Sequence, residues 1–133
     1  METSDLRIAL FSGNYNYVRD GANQALNRLV EYLLRTGAQV RVYAPTVENP
    51  AFEPQGDLIS LPSIAIPTRS EYRLSSGVNR RIKRDLEAFA PNVVHVSAPD
   101  IGCHRAVSWA RRQNLPVLAS VHTRFETYFR YYN

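Results

Sequence analysis

The stretch Thr36-Gly37-Ala38-Gln39-Val40-Arg41-Val42-Tyr43-Ala44-Pro45 decides the fold. β-branched residues alternate from Ala38 to Ala44 and the run halts at Pro45, so it reads as a strand. Gly37 stands directly before it as a helix stop, because upstream Ala22, Ala25, Leu26, Leu29, Val30 and Leu33 recur at helical spacing. Further upstream, Ile8-Ala9-Leu10-Phe11 is an apolar run too short for a helix, broken by Ser12-Gly13-Asn14, and reads as a buried strand. Strand, helix and strand in immediate succession imply a right-handed crossover and parallel pairing.

From Pro45 to Pro67 five prolines interrupt the chain, so this region is expected to be largely loop, with Leu58-Ile-Ser-Leu61 as its one strand. From Ser75 to Ala90, Val78, Ile82, Leu86 and Phe89 form a helical stripe that stops at Pro91. Val93-Val-His-Val-Ser97 reads as another strand, and Pro99-Asp100 opens a helix in which Cys103, Ala106, Val107 and Ala110 share a face. Pro116 to Val121 is the last strand. This alternation predicts an α/β fold: a Rossmann-like, mainly parallel, doubly wound sheet. Ligands on such sheets bind beyond the carboxyl ends of the strands. Attention therefore falls on Ser12 to Gly21, Pro45 onward, Ser97 to Gly102 and His122 onward.

With 133 residues, 44% of them hydrophobic and 21% charged, the chain is sized for one domain of globular composition. No stretch approaches the roughly 18 apolar residues of a membrane span, and the first residues lack signal-peptide character, which points to the cytoplasm. Cys103 stands alone, three histidines show no zinc spacing, and neither a metal nor a cofactor is expected. The net charge of +4 comes from fifteen Arg and one Lys. Arg suits bidentate grip on phosphate or carboxylate. Zinc-finger, RNP-like and helix-turn-helix patterns are missing, which argues against nucleic acid as a partner.

Three features carry chemistry. Gly21 stands where the first helix begins, so a phosphate could approach its exposed N–H groups and positive dipole end; the alternative is that Gly21 only relieves strain beside an Asp20 cap. Tyr15 and Tyr17 on the same loop could stack on a sugar ring. At the end of the last strand His122 could hydrogen-bond a substrate, with Thr123 and Arg124 adding a hydroxyl and an anion grip, although a purely structural histidine is the competing reading. His95, inside a strand, reads as a satisfied core histidine. Finally, Arg80, Arg81, Lys83 and Arg84 oppose the apolar stripe of the second helix, after Arg69 and Arg73 on a Ser- and Pro-containing loop. That patch could rest on an anionic membrane surface or simply be solvated.

The order of these motifs resembles a known family: Arg7-Ile-Ala-Leu-Phe11, Asp20-Gly21 opening a Leu-rich helix, Thr36-Gly-Ala-Gln-Val-Arg-Val-Tyr-Ala-Pro45, Pro91-Asn-Val-Val-His-Val96 and Ser120-Val-His-Thr123. It is similar to the N-terminal domain of retaining glycosyltransferases of the GT-B fold, group 1, family 4. The tail from His122 to Tyr132 looks like the branch that glycosylates lipids or cell-envelope acceptors with mannosyl or related sugars. The resemblance implies sugar transfer from a nucleotide-sugar donor to a lipid or glycan acceptor, in a cleft between two Rossmann-like domains and without a required metal. It implies that Gly21 and Ala22 approach the donor diphosphate, that His122 contacts the donor sugar at the reacting centre, and that Thr123, Arg124, Tyr15 and Tyr17 face the acceptor. Ala22 replaces a second glycine frequent in the family, and the E-x7-E pair of the donor domain does not occur in this sequence. The expectation is an acceptor-side domain over 1–133, cut at its C-terminal end, lacking its donor-binding domain and inactive alone, placed in the cytoplasm against the inner face of the plasma membrane. The alternative is a non-catalytic nucleotide-binding or interaction module.

Overall fold

The computed structural model describes residues 2–12, 21–46, 56–61, 63–66, 69–75, 78–97 and 101–120. After a short 3-10 turn at Thr3–Asp5 come β1 (Arg7–Phe11), α1 (Gly21–Arg35), β2 (Gln39–Ala44), β3 (Asp57–Ser60), β4 (Ser63–Ile66), β5 (Arg69–Ser75), α2 (Arg80–Phe89), β6 (Val93–Val96), α3 (Ile101–Arg112) and β7 (Val117–Ala119). Five strands form a parallel sheet in the order β3-β2-β1-β6-β7, with Ile8 opposite Val40 and Val93, and Val94 opposite Val117. The Rossmann-like sheet expected from the sequence is therefore present.

Alternation along the strands sorts the core into two layers. Ile8, Leu10, Val40 and Val42 pack with Leu26 and Val30 of α1 on one face. Ala9, Phe11, Tyr43, Val94 and Val96 pack on the other with Ile82, Leu86 and Phe89 of α2 and Cys103, Ala106, Trp109 and Ala110 of α3. Cys103 is buried in the helix, as its sequence context indicated. The α1 stripe is narrower than its periodicity implied: Ala25 and Leu29 are exposed, because only the arc through Leu26, Val30 and Leu33 meets the sheet.

Local chemistry fixes the helix ends. Gly37 sits at φ 99°, and the bonds Gly37 N–H to the Leu34 carbonyl (3.1 Å) and Ala38 N–H to the Leu33 carbonyl (3.0 Å) close a Schellman motif. Asn79 caps α2, its Oδ1 accepting from the Ile82 N–H at 2.9 Å. This cap moves the helix start from the expected Ser75 to Arg80, and Ser75 instead ends β5. The expected loop before it holds an antiparallel hairpin, β4–β5, that pairs Ser63 with Ser75 and Ala65 with Arg73. Arg69 and Arg73 thus belong to a strand rather than a loop. The hairpin escaped the sequence reading because its strands are held by cross-strand pairing and lack an apolar alternation that stands out among the prolines.

At the amino edge of the sheet the Arg7 guanidinium bonds the Phe89 carbonyl from Nη2, reaches the Ala90 carbonyl from Nε at 3.2 Å, and lies over the Phe89 ring. A cation on the last carbonyls of α2 matches the negative end of its dipole. On the same face Asp85 Oδ1 accepts from the Tyr43 hydroxyl at 2.6 Å and from Arg41 Nη1 at 3.1 Å. Burial first, and then the Asp85 acceptor, raises the Tyr43 phenol above its ordinary pKa.

Candidate functional site

All five parallel strands end on one edge, at Phe11, Ala44, Ser60, Val96 and Ala119. The helix after β1 packs on one face, whereas the helix after β6 packs on the other. The neighbouring strands β1 and β6 therefore flank a topological switch point, where open α/β sheets place their ligand crevice.

A polar rim lines this edge. The Phe11 carbonyl accepts from the Ser97 N–H (3.0 Å), from Ser97 Oγ (3.3 Å) and from Cys103 Sγ (3.5 Å). Ser12 is buried, and its N–H donates to the Tyr43 carbonyl at 3.0 Å. These bonds tie the first residue after β1 to β2, and β1 to the first residue after β6. Farther along, Ser120 N–H donates to the Val96 carbonyl (3.0 Å), and Ser120 Oγ is hydrogen-bonded to His95 Nε2 at 2.9 Å. His95 is thus a buried strand histidine with a partner, as read from the sequence.

Three helix amino ends face this edge. α1, α2 and α3 all begin here, and none carries an acidic residue in its first turn. Their N–H groups and dipoles leave a field that favours anions. Arg80, Arg81, Lys83 and Arg84 are exposed on α2, and Arg81 donates from Nη2 to the Ser60 carbonyl at 2.7 Å, fastening the first turn of α2 to the end of β3. Among the described residues no group of three or more His, Cys, Asp or Glu side chains is placed to hold a metal ion.

The sequence-derived site residues fall into three groups. Gly21 and Ala22 are the first two residues of α1, at the switch-point edge. Arg80, Arg81, Lys83 and Arg84 share α2, while Arg69 and Arg73 lie on β5. Tyr15, Tyr17, His122, Thr123 and Arg124 lie outside the described residues; Ser120 is the last described residue before His122. The strand that leads toward His122, β7, is marginal rather than central: among the described strands it pairs only with β6. The bonding of Ser12, Ser97 and Ser120 is a feature that the tertiary structure adds. The signal was a serine directly after three of the apolar strand runs.

No described helix is long and apolar enough to cross a membrane. The family model described as Glycosyltransferase Family 4 matches residues 19–133. Among curated proteins, a GDP-mannose-dependent alpha-mannosyltransferase of Mycolicibacterium smegmatis is 28% identical over 89% of this chain and 32% of its own length. An alpha-monoglucosyldiacylglycerol synthase of Acholeplasma laidlawii is 26% identical over 95% and 32%. A sulfoquinovosyl transferase of Arabidopsis thaliana is 27% identical over 92% and 24%. The chain spans a third or less of the length of these relatives.

Proposed function

Because the chain belongs to glycosyltransferase family 4, we propose that it is the acceptor-side Rossmann-like domain of a retaining GT-B glycosyltransferase. The complete enzyme transfers a mannosyl-like or glucosyl-like sugar from a nucleotide-sugar donor to a lipid or glycan acceptor. A second, donor-binding domain completes the cleft, and the 133 residues alone are inactive. The exposure of β7 supports a larger assembly: Leu118 is 59% and Val117 37% exposed, whereas strands of parallel sheets are ordinarily covered on both faces.

The observation that carries this reading is the start of α1 at Gly21 on the switch-point edge, with no carboxylate in its first turn. A donor diphosphate at Gly21 and Ala22 meets the first-turn N–H groups and the positive dipole end of α1. His122 contacts the donor sugar beside the reacting centre, and Thr123, Arg124, Tyr15 and Tyr17 form the acceptor wall. The exposed cations of α2, with Arg69 and Arg73, hold the domain against the anionic inner face of the membrane where the acceptor resides. The similarity to an alpha-monoglucosyldiacylglycerol synthase, whose name gives a diacylglycerol-linked glucose as its product, supports a lipid acceptor.

The experiment is a donor screen on the complete transferase beside its His122→Ala variant. The expected result is transfer of one hexose with retained anomeric configuration and a loss of turnover of about 100-fold in the variant. Full turnover by the variant would remove His122 from the site.

A further inference from the structure

Phe11 of β1 stands opposite Val96 of β6, and Val96 opposite Ala119 of β7. One residue on, the ladder continues: Ser97 N–H donates to the Phe11 carbonyl and Ser120 N–H to the Val96 carbonyl, each at 3.0 Å. Ser12, Ser97 and Ser120 therefore share a rung on three adjoining strands, one step beyond the apolar rung of Phe11, Val96 and Ala119. Adjoining strands lie about 4.8 Å apart, so the three serines span about 10 Å. Alternation from Leu10 places this rung on the sheet face against which α1 packs. Strands of parallel sheets are ordinarily apolar throughout. Here a row of hydroxyls crosses the switch point, at the strand ends where such sheets hold ligands.

The three serines are not equivalent. Ser12 is buried, and Ser120 Oγ is engaged with His95 Nε2 at 2.9 Å. Ser97 is half-buried at the centre of the rung, and its hydroxyl donates to the Phe11 carbonyl over 3.3 Å, beyond the usual O–H···O range. That carbonyl already holds the Ser97 N–H at 3.0 Å, so the fold gains little from the hydroxyl. The direction of the bond decides what Ser97 offers a ligand. A carbonyl only accepts, so Ser97 gives its one proton inward and keeps acceptor lone pairs on Oγ. A ligand hydroxyl that donates to Oγ extends this chain and strengthens it. A phosphate oxygen, itself only an acceptor, requires the proton to turn away from Phe11. We infer that Ser97 is a specificity-determining residue for sugar transfer, its Oγ accepting a hydrogen bond from a substrate hydroxyl, on the donor hexose or on the acceptor, rather than holding phosphate. This inference rests on the proposed function, which brings both hydroxyl-bearing substrates to this edge.

The test uses the complete transferase with its Ser97→Ala and Ser97→Thr variants, donor and acceptor being varied in turn. Ser97→Ala is expected to lower kcat/KM by about three- to tenfold, the worth of one neutral hydrogen bond, through a raised KM for one substrate. A raised donor KM assigns the hydroxyl to the hexose, and a raised acceptor KM assigns it to the acceptor. Ser97→Thr, which keeps Oγ, stays within about twofold of the parent. Inhibition by the nucleoside diphosphate product also stays within about twofold in Ser97→Ala. The melting temperature of Ser97→Ala stays within about 2 °C of the parent, because the Phe11 carbonyl retains its N–H donor. Unchanged kinetics for both substrates in Ser97→Ala, beside hexose transfer by the parent, would overturn the inference and leave the proposed function standing. Weakened inhibition by the diphosphate would overturn it in favour of a phosphate contact. A Ser97→Thr enzyme as slow as Ser97→Ala, with both melting well below the parent, would overturn it in favour of a structural serine. Absence of hexose transfer by the parent would overturn the proposed function, and this inference with it.

Discussion

Replacing Tyr43 by Phe removes one hydroxyl from a fully buried ring that is stacked on Phe11 at 4.8 Å between centroids. No cavity larger than that oxygen opens, so the cost is set by the bond to Asp85. A hydrogen bond to a charged group contributes about 1.5–3 kcal/mol. Asp85 keeps its Arg41 contact and its side chain is 28% exposed, so water replaces part of the lost partner. The lower end of that range, about 1.5 kcal/mol, is therefore expected. Urea unfolding followed by the fluorescence of the single Trp109, itself buried, measures the change at constant m-value. The phenol adds a pH signature. Its pKa is raised in the fold, so the unfolded chain releases this proton first as pH climbs past about 10. The stability Tyr43 contributes is complete below that pH and is lost as pH rises toward the folded value, by up to about 1.4 kcal/mol per pH unit. Tyr43→Phe should show a shallower decline there. A destabilisation under about 0.5 kcal/mol together with an unchanged alkaline slope would refute the role assigned to this bond.

Gly37→Ala should destabilise the domain by about 1–2 kcal/mol although alanine is the better helix former, because φ is 99° and the new Cβ meets the Ser4 Cβ at 3.3 Å; a neutral result in the same titration would contradict the cap. Ile82→Ala, at a fully buried position of α2, should cost roughly 3 kcal/mol, and a melting temperature within a degree of the parent would count against the packing described. The triple variant Arg80→Ala/Lys83→Ala/Arg84→Ala removes three exposed cations worth about 1 kcal/mol each at an anionic surface, so sedimentation with acidic vesicles should weaken about 100-fold. Equal binding of the parent to neutral and acidic vesicles would dispose of the membrane contact.

The switch-point edge could be reached from sequence because strand and helix periods, Gly37 and Pro91 determine the element order, and the handedness of the crossover then restricts the sheet. The hairpin β4–β5 could not be reached that way, since its stability lies in pairing between residues such as Ser63 and Ser75. The helix start at Asn79 was equally hidden: its cap is one side-chain bond, and several polar residues before Ile82 offered comparable starts.

By itself, then, the sequence determined the βαβ unit, the apolar stripes that choose which faces are buried, the basic character of α2 and the position of Gly21 at the mouth of a helix. These are local or periodic properties, written in spacing that survives without knowledge of neighbours. The tertiary structure alone decided that β1 and β6 adjoin, that the Phe11 carbonyl gathers Ser97 and Cys103, that Tyr43 and Arg41 converge on Asp85, and that His95 meets Ser120. Those partners lie 25 to 92 residues apart along the chain. Hydrogen bonds act over about 3 Å, so only the folded sheet, which sets strand order and register, brings such pairs within reach.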